Sequence, residues 1–423
     1  MTTSVSAPEA TRTGVGGALH GAGRPIAGVP RRVLVTDGEE RSALAIVRSL
    51  GRHAEVHVCS RSGRSLAGAS RYARSDSRVR SPLNDRDAAA RDLAAAARRV
   101  GAEVVFPVSE ASLLAVLACP ELFDGIAVPF PDEARFRRVC DKAAVLAAAR
   151  DLGIATPGQH VLEHASNLTA LLRAGDLRFP LVVKPSRSVV SDAGGATKVG
   201  VSHAADEQGL RECVARYGAA AFPLLLQQRI VGPGIGVFLL RWHGETVAVF
   251  CHRRLREKPP AGGVSVYSES IAPMPALIAR SNALLDRFAW DGVAMVEFKV
   301  DDATGTPYLM EINGRFWGSL ELAIAAGVDF PALLLALAGG ESPAPVRAYR
   351  VGIRNRWWWG DVDHLLTRFR HSNDALGLPR NAPSRLRALG DFLRWRAADH
   401  NEVLHASDPR PFLRETALWL RGR

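Results

Sequence analysis

The sequence has few lysines. Of its 54 basic residues, the lysines are Lys142, Lys184, Lys198, Lys258 and Lys299, and the others are arginines. Part of the formal net charge of +11 therefore follows from an arginine-rich composition and does not indicate a nucleic-acid partner. Lysine places a compact point charge that arginine does not reproduce. Each remaining lysine is thus a candidate for a phosphate contact.

Long apolar runs and paired cysteines are also missing. No uninterrupted apolar stretch approaches the ~18 residues of a membrane span, and the N-terminus lacks the charged start and apolar core of a signal peptide. The five cysteines are scattered and none has CxxC spacing, so we expect reduced thiols rather than a disulfide framework or a zinc site. With 47% hydrophobic residues, the sequence predicts a globular cytoplasmic protein.

Two nucleotide-binding fingerprints are missing as well. The first predicted strand-to-helix loop, residues 36–40, has no GxGxxG pattern, and no GxxxxGK[ST] motif occurs around Lys184. These observations exclude a standard dinucleotide fingerprint and a P-loop. The 36–40 and 107–110 loops still follow predicted strands, at the position where open sheets bind ligands. Because loops are usually polar, their polar residues are equally compatible with an ordinary surface loop.

The N-terminal part of the chain alternates between strand and helix patterns. Residues 1–30 are rich in Gly, Ala, Ser, Thr and Pro without periodicity, which predicts a disordered tail. After them, strands are predicted at 31–38, 55–60 and 103–108, and helices at 42–50 and 88–100. Such alternation indicates a parallel, doubly wound sheet.

Residues 307–319 (PYLMEINGRFWGS) carry the strongest chemical signal. Glu311 and Asn313 are two positions apart, so a strand points both to one face. The run 292–300 carries Glu297 and pairs with it if residues 301–305 form a turn. Two carboxylates and an amide oxygen suit Mg²⁺, and Arg315 follows as a cation for a phosphoryl or carboxylate group. The alternative is a solvated face, although opposed like charges are unfavourable without a cation.

The middle of the chain predicts a phosphate-binding region. One helix is expected over 132–152, containing Lys142, and a buried strand over 179–185 ends near Lys184. The following small-residue loop, 186–196 (SRSVVSDAGGA), offers free N–H groups that can wrap phosphates, and a strand resumes at 197–201.

A basic stretch lies further along, at 252–270 (HRRLREKPPAGGVSVYSES). It follows predicted strands at 222–230, 237–240 and 246–251. It is interpreted either as a mobile active-site loop or as a solvated connection, and its clustered Arg253, Arg254, Arg256 and Lys258 favour a nearby anionic ligand. Helices are predicted at 274–289, 321–327 and 331–338.

The C-terminal part, 341–423, is rich in arginine and tryptophan. It holds five of the eight tryptophans: Trp357, Trp358, Trp359, Trp395 and Trp419. Helices are predicted at 362–369, 383–395 and 411–420. Interleaved Arg and Trp are compatible with binding to nucleic acid or to a membrane surface. However, acidic residues are mixed through the segment and no basic run reaches five residues. A structural role is therefore favoured, and nucleic-acid binding is not expected.

Six segments, in order, resemble the ATP-grasp superfamily, and in particular carboxylate–amine ligases related to carbamoyl-phosphate synthase and D-alanine–D-alanine ligase. They are DKAAVLAAARDLGIATP, VVKPSRS, LLQQRIVG, RRLREKPPAGG, VEFKVD and LMEINGRFWGS. The resemblance implies an α/β (α+β) protein in which a Rossmann-like pre-ATP-grasp domain precedes the ATP-grasp fold. The expected divisions are a tail at 1–30, the Rossmann-like domain at 31–127, the ATP-grasp domain at 128–340 (subdomains 128–222 and 223–340) and a mostly helical extension at 341–423.

The resemblance also implies roles for single residues. Lys142 and Lys184 would contact ATP phosphates, and the loop with Ser186, Gly194 and Gly195 would close over them. Gln227, Gln228, Arg229 and Ile230 would form the adenine-binding segment. Glu297, Glu311 and Asn313 would hold Mg²⁺, with Mn²⁺ as an alternative. Arg315, Arg254 and Arg256 would act on the transferred phosphoryl group and the acceptor.

The chain departs from the family pattern at two positions. Gln227-Gln228 stands where Gln-Glu is common, and no carboxylate lies near Pro233 or Gly234, where one would bind ribose hydroxyls. Nucleotide choice is therefore open, while the implied metal ligands are all present.

The implied activity joins a small-molecule carboxylate to an amine through an acyl phosphate, releasing ADP. Two alternatives are an ATP-grasp enzyme with another acceptor, such as a thiol or bicarbonate, and a non-catalytic nucleotide-binding regulator. A homodimer is compatible with the resemblance.

Overall fold

The computed structural model describes residues 31–192, 195–373, 375–379, 382–394, 396 and 399–422. The predicted tail at 1–30, Gly194 and Trp395 lie outside the described residues. Three larger sheets, a separate two-stranded hairpin and the surrounding helices make up the described chain.

The N-terminal sheet is parallel, with strand order β3-β2-β1-β4. Its strands are β1 (Arg32–Val35), β2 (Glu55–Ser60), β3 (Ala73–Arg78) and β4 (Val104–Phe106), and its helices are α1 (Arg41–Leu50), α2 (Arg86–Val100) and α3 (Glu110–Ala118). This confirms the predicted parallel sheet. The sequence pattern missed β3, because its residues, ARSDSR, are polar and only partly buried at a sheet edge.

Two helices follow where one was predicted over 132–152. They are α4 (Glu133–Cys140) and α5 (Lys142–Asp151). Asp141 separates them in an extended conformation (φ −84°, ψ 102°), and its side chain accepts hydrogen bonds from the backbone N–H groups of Ala143 and Ala144. An aspartate in this geometry is a strong N-cap, so the continuous apolar periodicity hid a break that places Lys142 at the first position of a new helix.

The second sheet is antiparallel, with order β5-β10-β6-β9, and a separate hairpin pairs β7 with β8. The strands are β5 (Gln159–Leu162), β6 (Leu181–Pro185), β7 (Val189–Asp192), β8 (Gly195–Lys198), β9 (Ser202–Ala204) and β10 (Leu224–Gln228), with helices α6 (Leu168–Ala174) and α7 (Glu207–Ala215). The prediction of an irregular loop over 186–196 was therefore wrong: most of that stretch is a β-hairpin. The β-branched pair Val189-Val190 is the signal that favours strand there.

The third sheet has seven strands, in the order β15-β14-β11-β12-β13-β16-β17. They are β11 (Gly234–Trp242), β12 (Glu245–Lys258), β13 (Val264–Ser270), β14 (Gly292–Val300), β15 (Pro307–Asn313), β16 (Arg354–Arg356) and β17 (Asp399–Asn401). The basic stretch at 252–270 is neither of the two predicted loops: it continues β12, turns at 259–263 and returns as β13.

The remaining helices pack around this sheet. They are α8 (Pro275–Arg287), α9 (Leu320–Ala326), α10 (Phe330–Ala338), α11 (Trp358–Arg370), α12 (Arg385–Leu393) and α13 (Arg410–Leu420). The C-terminal part is mostly helical, as predicted, but it also adds β16 and β17 to the large sheet.

The C-terminal segment returns to the N-terminal sheet. Buried Arg48 of α1 contacts Asp408, and Arg41 contacts Glu402. One hydrophobic core runs from the N-terminal sheet through α5 to the large sheet. Within the described residues no single helix is long and apolar enough to cross a membrane; α9 and α10 together meet that criterion by length and composition, but they are bent by 91°.

Candidate active site

A cavity of about 660 Å³ lies where the three sheets meet. The N-terminal sheet contributes the loops after β1 and β4, including Thr36, Asp37 and Ser109. Asp37 has φ of 55° and accepts hydrogen bonds from the Ser109 N–H at 2.9 Å and the Ser112 hydroxyl at 2.8 Å. The 36–40 and 107–110 loops therefore border the cavity at the carboxyl ends of parallel strands, the usual position for a ligand.

Two carboxylates face each other on the cavity wall. Glu297 of β14 and Glu311 of β15 are directly paired in the antiparallel register. Asn313 lies two residues beyond Glu311 and donates to Glu311 Oε1 at 3.1 Å. Because opposed like charges repel, this arrangement requires nearby cations.

Two lysines supply part of that charge. Lys142 Nζ lies 3.3 Å from Glu311 Oε2 and donates to Ser188 Oγ at 2.8 Å. Lys184 Nζ lies 3.5 Å from the Met310 carbonyl oxygen. Both lysine side chains are buried and both border the cavity.

The pKa values of these groups are displaced by burial and by one another. Burial lowers the pKa of Lys184 to about 8. Burial acts to raise the pKa of Glu311, but Lys142, Lys184, the Asn313 hydrogen bond and Arg315 together lower it to about 2. Glu297 has a raised pKa, first because of burial and also because Glu311 is close. Such opposed shifts within one cleft are typical of a functional site.

Arg254 crosses the sheet to reach Glu297. It is on β12, and β11 lies between β12 and β14. The intervening residues are Gly234 and Gly236; a Cβ on Gly234 would lie 3.0 Å from the Arg254 side chain. The missing side chain leaves room for Arg254 to donate to Glu297 Oε2 at 2.5 Å and to Glu257 Oε1 at 2.8 Å. Arg254 Nε is buried without a hydrogen-bond partner among the described residues.

Arg315 borders the same cavity just after β15. It donates to Asn313 Oδ1 at 3.1 Å and to the Phe316 carbonyl oxygen at 2.9 Å. The Asn313 amide therefore bridges Arg315 and Glu311. The structure brings Glu297, Glu311 and Asn313, both lysines, Arg254 and Arg315 to one cavity; their roles as metal and phosphate ligands stay predictions.

The predicted adenine-binding segment forms another part of the wall. Gln227, Gln228, Arg229 and Ile230 all border the cavity. Gln227 is buried and donates to Gln159 Oε1 at 2.8 Å, while the Gln228 N–H donates to the Gly158 carbonyl oxygen at 2.8 Å. These contacts hold the edge of β10 against β5.

Three predicted positions lie elsewhere. Arg256 forms two 2.6 Å hydrogen bonds with buried Asp361 and is not on this cavity; the reason is that neighbouring irregularities in β12 turn it toward α11. The Ser186 hydroxyl donates to Asp141 Oδ1 at 2.6 Å, so it supports the α5 cap instead of bordering the cavity. Gly195 pairs with Asp192 in the β7–β8 hairpin. Gly194 lies outside the described residues.

Sequence reasoning missed Ser188 and His252. Ser188 borders the cavity and binds Lys142, and a hydroxyl within the small-residue stretch was the available signal. His252 is fully buried, packs edge-on to Phe238 and has a pKa well below its usual value because of burial. Its Nδ1 lies 3.5 Å from the hydroxyl of Ser319, which borders the cavity, and this position depends on the β11–β12 register, which has no local sequence signal.

The donor set fits a hard divalent cation completed by phosphate oxygens. Among the described residues no group of three or more His, Cys, Asp or Glu side chains could hold a metal ion. Glu297, Glu311 and Asn313 provide two carboxylates and an amide oxygen in one place, which matches Mg²⁺ sites that retain phosphate and water ligands. Burial, and to a lesser extent the neighbouring Glu311, raises the pKa of Glu297, and a bound cation would stabilise both carboxylates in their charged form.

Residues 221–358 match the family described as ATP-grasp in the biosynthetic pathway with Ter operon. A search of curated proteins finds no match.

Solved structures share the fold. The L-amino acid ligase from Bacillus licheniformis has a TM-score of 0.57 at 19% identity, covering 74% of each chain. The biotin carboxylase domain of the Hydrogenobacter thermophilus 2-oxoglutarate carboxylase, solved with MgADP, ADP and bicarbonate, has 0.58 at 18% identity, covering 77% of this chain and 73% of that one. The Staphylococcus aureus N5-carboxyaminoimidazole synthetase, complexed with ADP, has 0.58 at 13% identity, covering 78% and 82%.

Proposed function

We propose that this chain, a member of the ATP-grasp superfamily, is an ATP-dependent ligase that joins a carboxylate to an amine. The observation that carries the proposal is the opposed pair Glu297 and Glu311 on one cavity with Lys142, Lys184, Arg254 and Arg315. This set has the cations and oxygen ligands that a triphosphate with Mg²⁺ requires. The relatives solved with ADP support the nucleotide assignment.

The chemistry has two steps. A carboxylate oxygen of the substrate attacks the γ-phosphorus of ATP, and the bond to the β–γ bridging oxygen breaks, releasing ADP and leaving an acyl phosphate. The amine nitrogen then attacks the acyl carbon, phosphate leaves with the electrons of the C–O bond, and the nitrogen loses a proton. Both steps need positioning and charge stabilisation rather than a side-chain nucleophile.

Different residues are assigned to the metal ion, the phosphates and the substrate. Mg²⁺ held by Glu297, Glu311 and Asn313 would supply charge at the β- and γ-phosphate oxygens. Lys142 and Lys184 bind phosphate oxygens, because they are buried cations on the cavity wall whose protein partners are a carboxylate, a hydroxyl and a carbonyl. Arg315 and Arg254 orient the transferred phosphoryl group and the substrate carboxylate.

In this proposal the acceptor is an amine. Bicarbonate is a second candidate, because one relative with the same fold was solved with it. The cytoplasmic location and a homodimer stay predictions.

The experiment measures Mg²⁺-dependent ADP release by the purified protein with pools of carboxylates and amines. We expect one carboxylate and one amine together to stimulate release. Glu311→Gln removes a charge from the site and is expected to abolish the stimulation. Glu341→Gln is the matched control, since Glu341 is exposed and does not border the cavity.

The possible results distinguish the ligase from the two alternative functions. Release stimulated by bicarbonate without an amine would favour the second candidate. ATP binding without release in any pool would contradict the ligase proposal and favour a nucleotide-binding regulator. Absence of ATP binding would contradict the whole assignment.

A further inference from the structure

A second cavity, of about 570 Å³, adjoins the first. Its walls come from the chain just after β10, from Lys299 of β14, from α11 and from the segment around α12. The two cavities share six residues: Arg229, Ile230, Arg254, Glu257, Ala261 and Lys299. A ligand in the second cavity would therefore lie next to the candidate nucleotide site.

The lining of the second cavity is strongly basic. Its described residues include eight arginines and lysines but only three acidic residues, Glu257, Asp302 and Asp391. Some of the cations are neutralised by carboxylates: Arg254 by Glu257 and Glu297, Arg256 by Asp361, and Arg354 by Glu269. The described chain shows no carboxylate ion pair for the other five: Arg229, Lys299, Arg368, Arg394 and Arg396.

Arg368 is the clearest example of a cavity cation with no carboxylate partner among the described residues. It is 4% exposed, and its Nε is buried without a hydrogen-bond partner among the described residues. Its Nη2 donates to the Asn373 side-chain oxygen and the Pro383 carbonyl oxygen, which are neutral acceptors. Burial lowers its pKa. A buried guanidinium without an anion is costly, so the position is suited to a ligand that brings negative charge.

Arg229 repeats the pattern at the shared wall. Its Nη2 donates to the Gly377 carbonyl oxygen, and burial is the cause of its lowered pKa. Arg229 follows β10 and Arg368 lies on α11, and both donate to the segment between α11 and α12. The C-terminal segment thus encloses a basic compartment beside the nucleotide cavity.

We propose that this second cavity binds the anionic part of one of the ligase substrates, a small molecule with at least two negative charges. Arginine forks recognise phosphate and carboxylate groups equally by geometry, so a phosphate monoester and a dicarboxylate share the required chemistry. The shared Arg254 and Lys299 place such a molecule where its reactive group can extend toward the nucleotide cavity. The substrate assignment rests on the proposed function, while anion binding itself does not require turnover.

The test uses the full chain with a non-hydrolysable ATP analogue and Mg²⁺ present in excess. Two probes, glycerol 3-phosphate and succinate, are titrated by calorimetry. Arg368→Gln and Arg394→Gln each remove one cation that borders the second cavity alone. Arg387→Gln is the matched control, because Arg387 lies in α12, seven residues before Arg394, is exposed and does not border the cavity. Binding of the ATP analogue is measured for every variant.

We expect at least one probe to bind the wild-type chain and to bind each of the two cavity variants about tenfold more weakly. The control variant should bind like wild type, and analogue binding should be retained in all. A preference for one probe identifies the group as phosphate or carboxylate. Because Arg394 is exposed, its variant keeps the test valid if Arg368→Gln does not fold.

Other results would overturn the proposal. These are failure of both probes to bind wild type at about 10 mM, or equal binding by wild type and both cavity variants. Probe binding without ADP release in any substrate pool would retain the anion site and remove the proposed ligase function.

Discussion

Replacing Arg48 with methionine tests how firmly the C-terminal segment is held against the N-terminal sheet. Arg48 of α1 is 6% exposed, and Asp408 is 1% exposed. The guanidinium donates to Asp408 Oδ2 at 2.9 Å, to the Val403 carbonyl oxygen at 2.8 Å, and to the Glu402 and Asp408 carbonyl oxygens at 3.1 Å each. Methionine keeps much of the side-chain volume but removes all four hydrogen bonds.

The expected loss of stability follows from the Asp408 carboxylate, which stays buried without its guanidinium partner. Breaking one side of a buried ion pair costs roughly 3–5 kcal/mol. Asp408 keeps hydrogen bonds from the Ser70 hydroxyl at 2.7 Å and the Arg71 N–H at 2.9 Å, which favours the lower end of that range. We therefore expect the free energy of unfolding to fall by about 3 kcal/mol, a large share of a typical total of about 5–15 kcal/mol.

The assay is equilibrium urea denaturation, with limited proteolysis to detect separate release of the C-terminal segment. Arg211→Met is the matched control: Arg211 pairs with Glu207 at 2.6 Å, but both side chains are exposed, so the change should stay within about 0.5 kcal/mol. A loss below about 1 kcal/mol for Arg48→Met, with the segment still protected from protease, would refute the reasoning.

Three further predictions concern single residues. Burial raises the pKa of Glu321 to about 8 from 4.5, so its contribution to stability is complete below pH 4.5 and is lost as the pH rises through 8. Glu321→Gln should remove that decline, which is at most about 1.4 kcal/mol per pH unit. Melting temperatures of the variant that change with pH in parallel with those of wild type would contradict this. Asp141→Ala removes the α5 cap and should cost about 1 kcal/mol in urea denaturation; an unchanged midpoint would show that the cap contributes nothing. Lys184→Gln should weaken ATP binding about tenfold with little change in melting temperature, and unaltered affinity in a direct binding titration would remove Lys184 from the phosphate site.

Much of the candidate site was predictable because its residues lie on regular strands. The alternation around Glu311 and Asn313 and the turn at 301–305 predicted the β14–β15 hairpin, and the structure pairs Glu311 with Glu297 directly. Lys184 was placed correctly because a buried strand ends beside it. In each case a period of two residues decides which side chains share a face.

The errors arose where a local pattern had two structural solutions. Apolar periodicity across 132–152 did not reveal the break, because an Asp in a helical pattern is also compatible with an exposed helix position. Gly and Ser within 186–196 suggested a loop, whereas the valines form a hairpin strand. Arg256 was assigned to the substrate, but irregularities in β12 turn it to Asp361.

The sequence alone determined most of the local elements and which neighbouring residues share a face, because these depend on short-range periodicity and turn chemistry. The exceptions are β3, the helix break at Asp141 and the β7–β8 hairpin. Only the tertiary structure decided which distant groups meet. Arg254 reaches Glu297 across β11 because glycines occupy the intervening positions, and the second cavity exists because the C-terminal segment folds back beside the large sheet. Those contacts depend on strand order and long-range packing, which cannot be deduced from the spacing of residues within a short stretch of the chain.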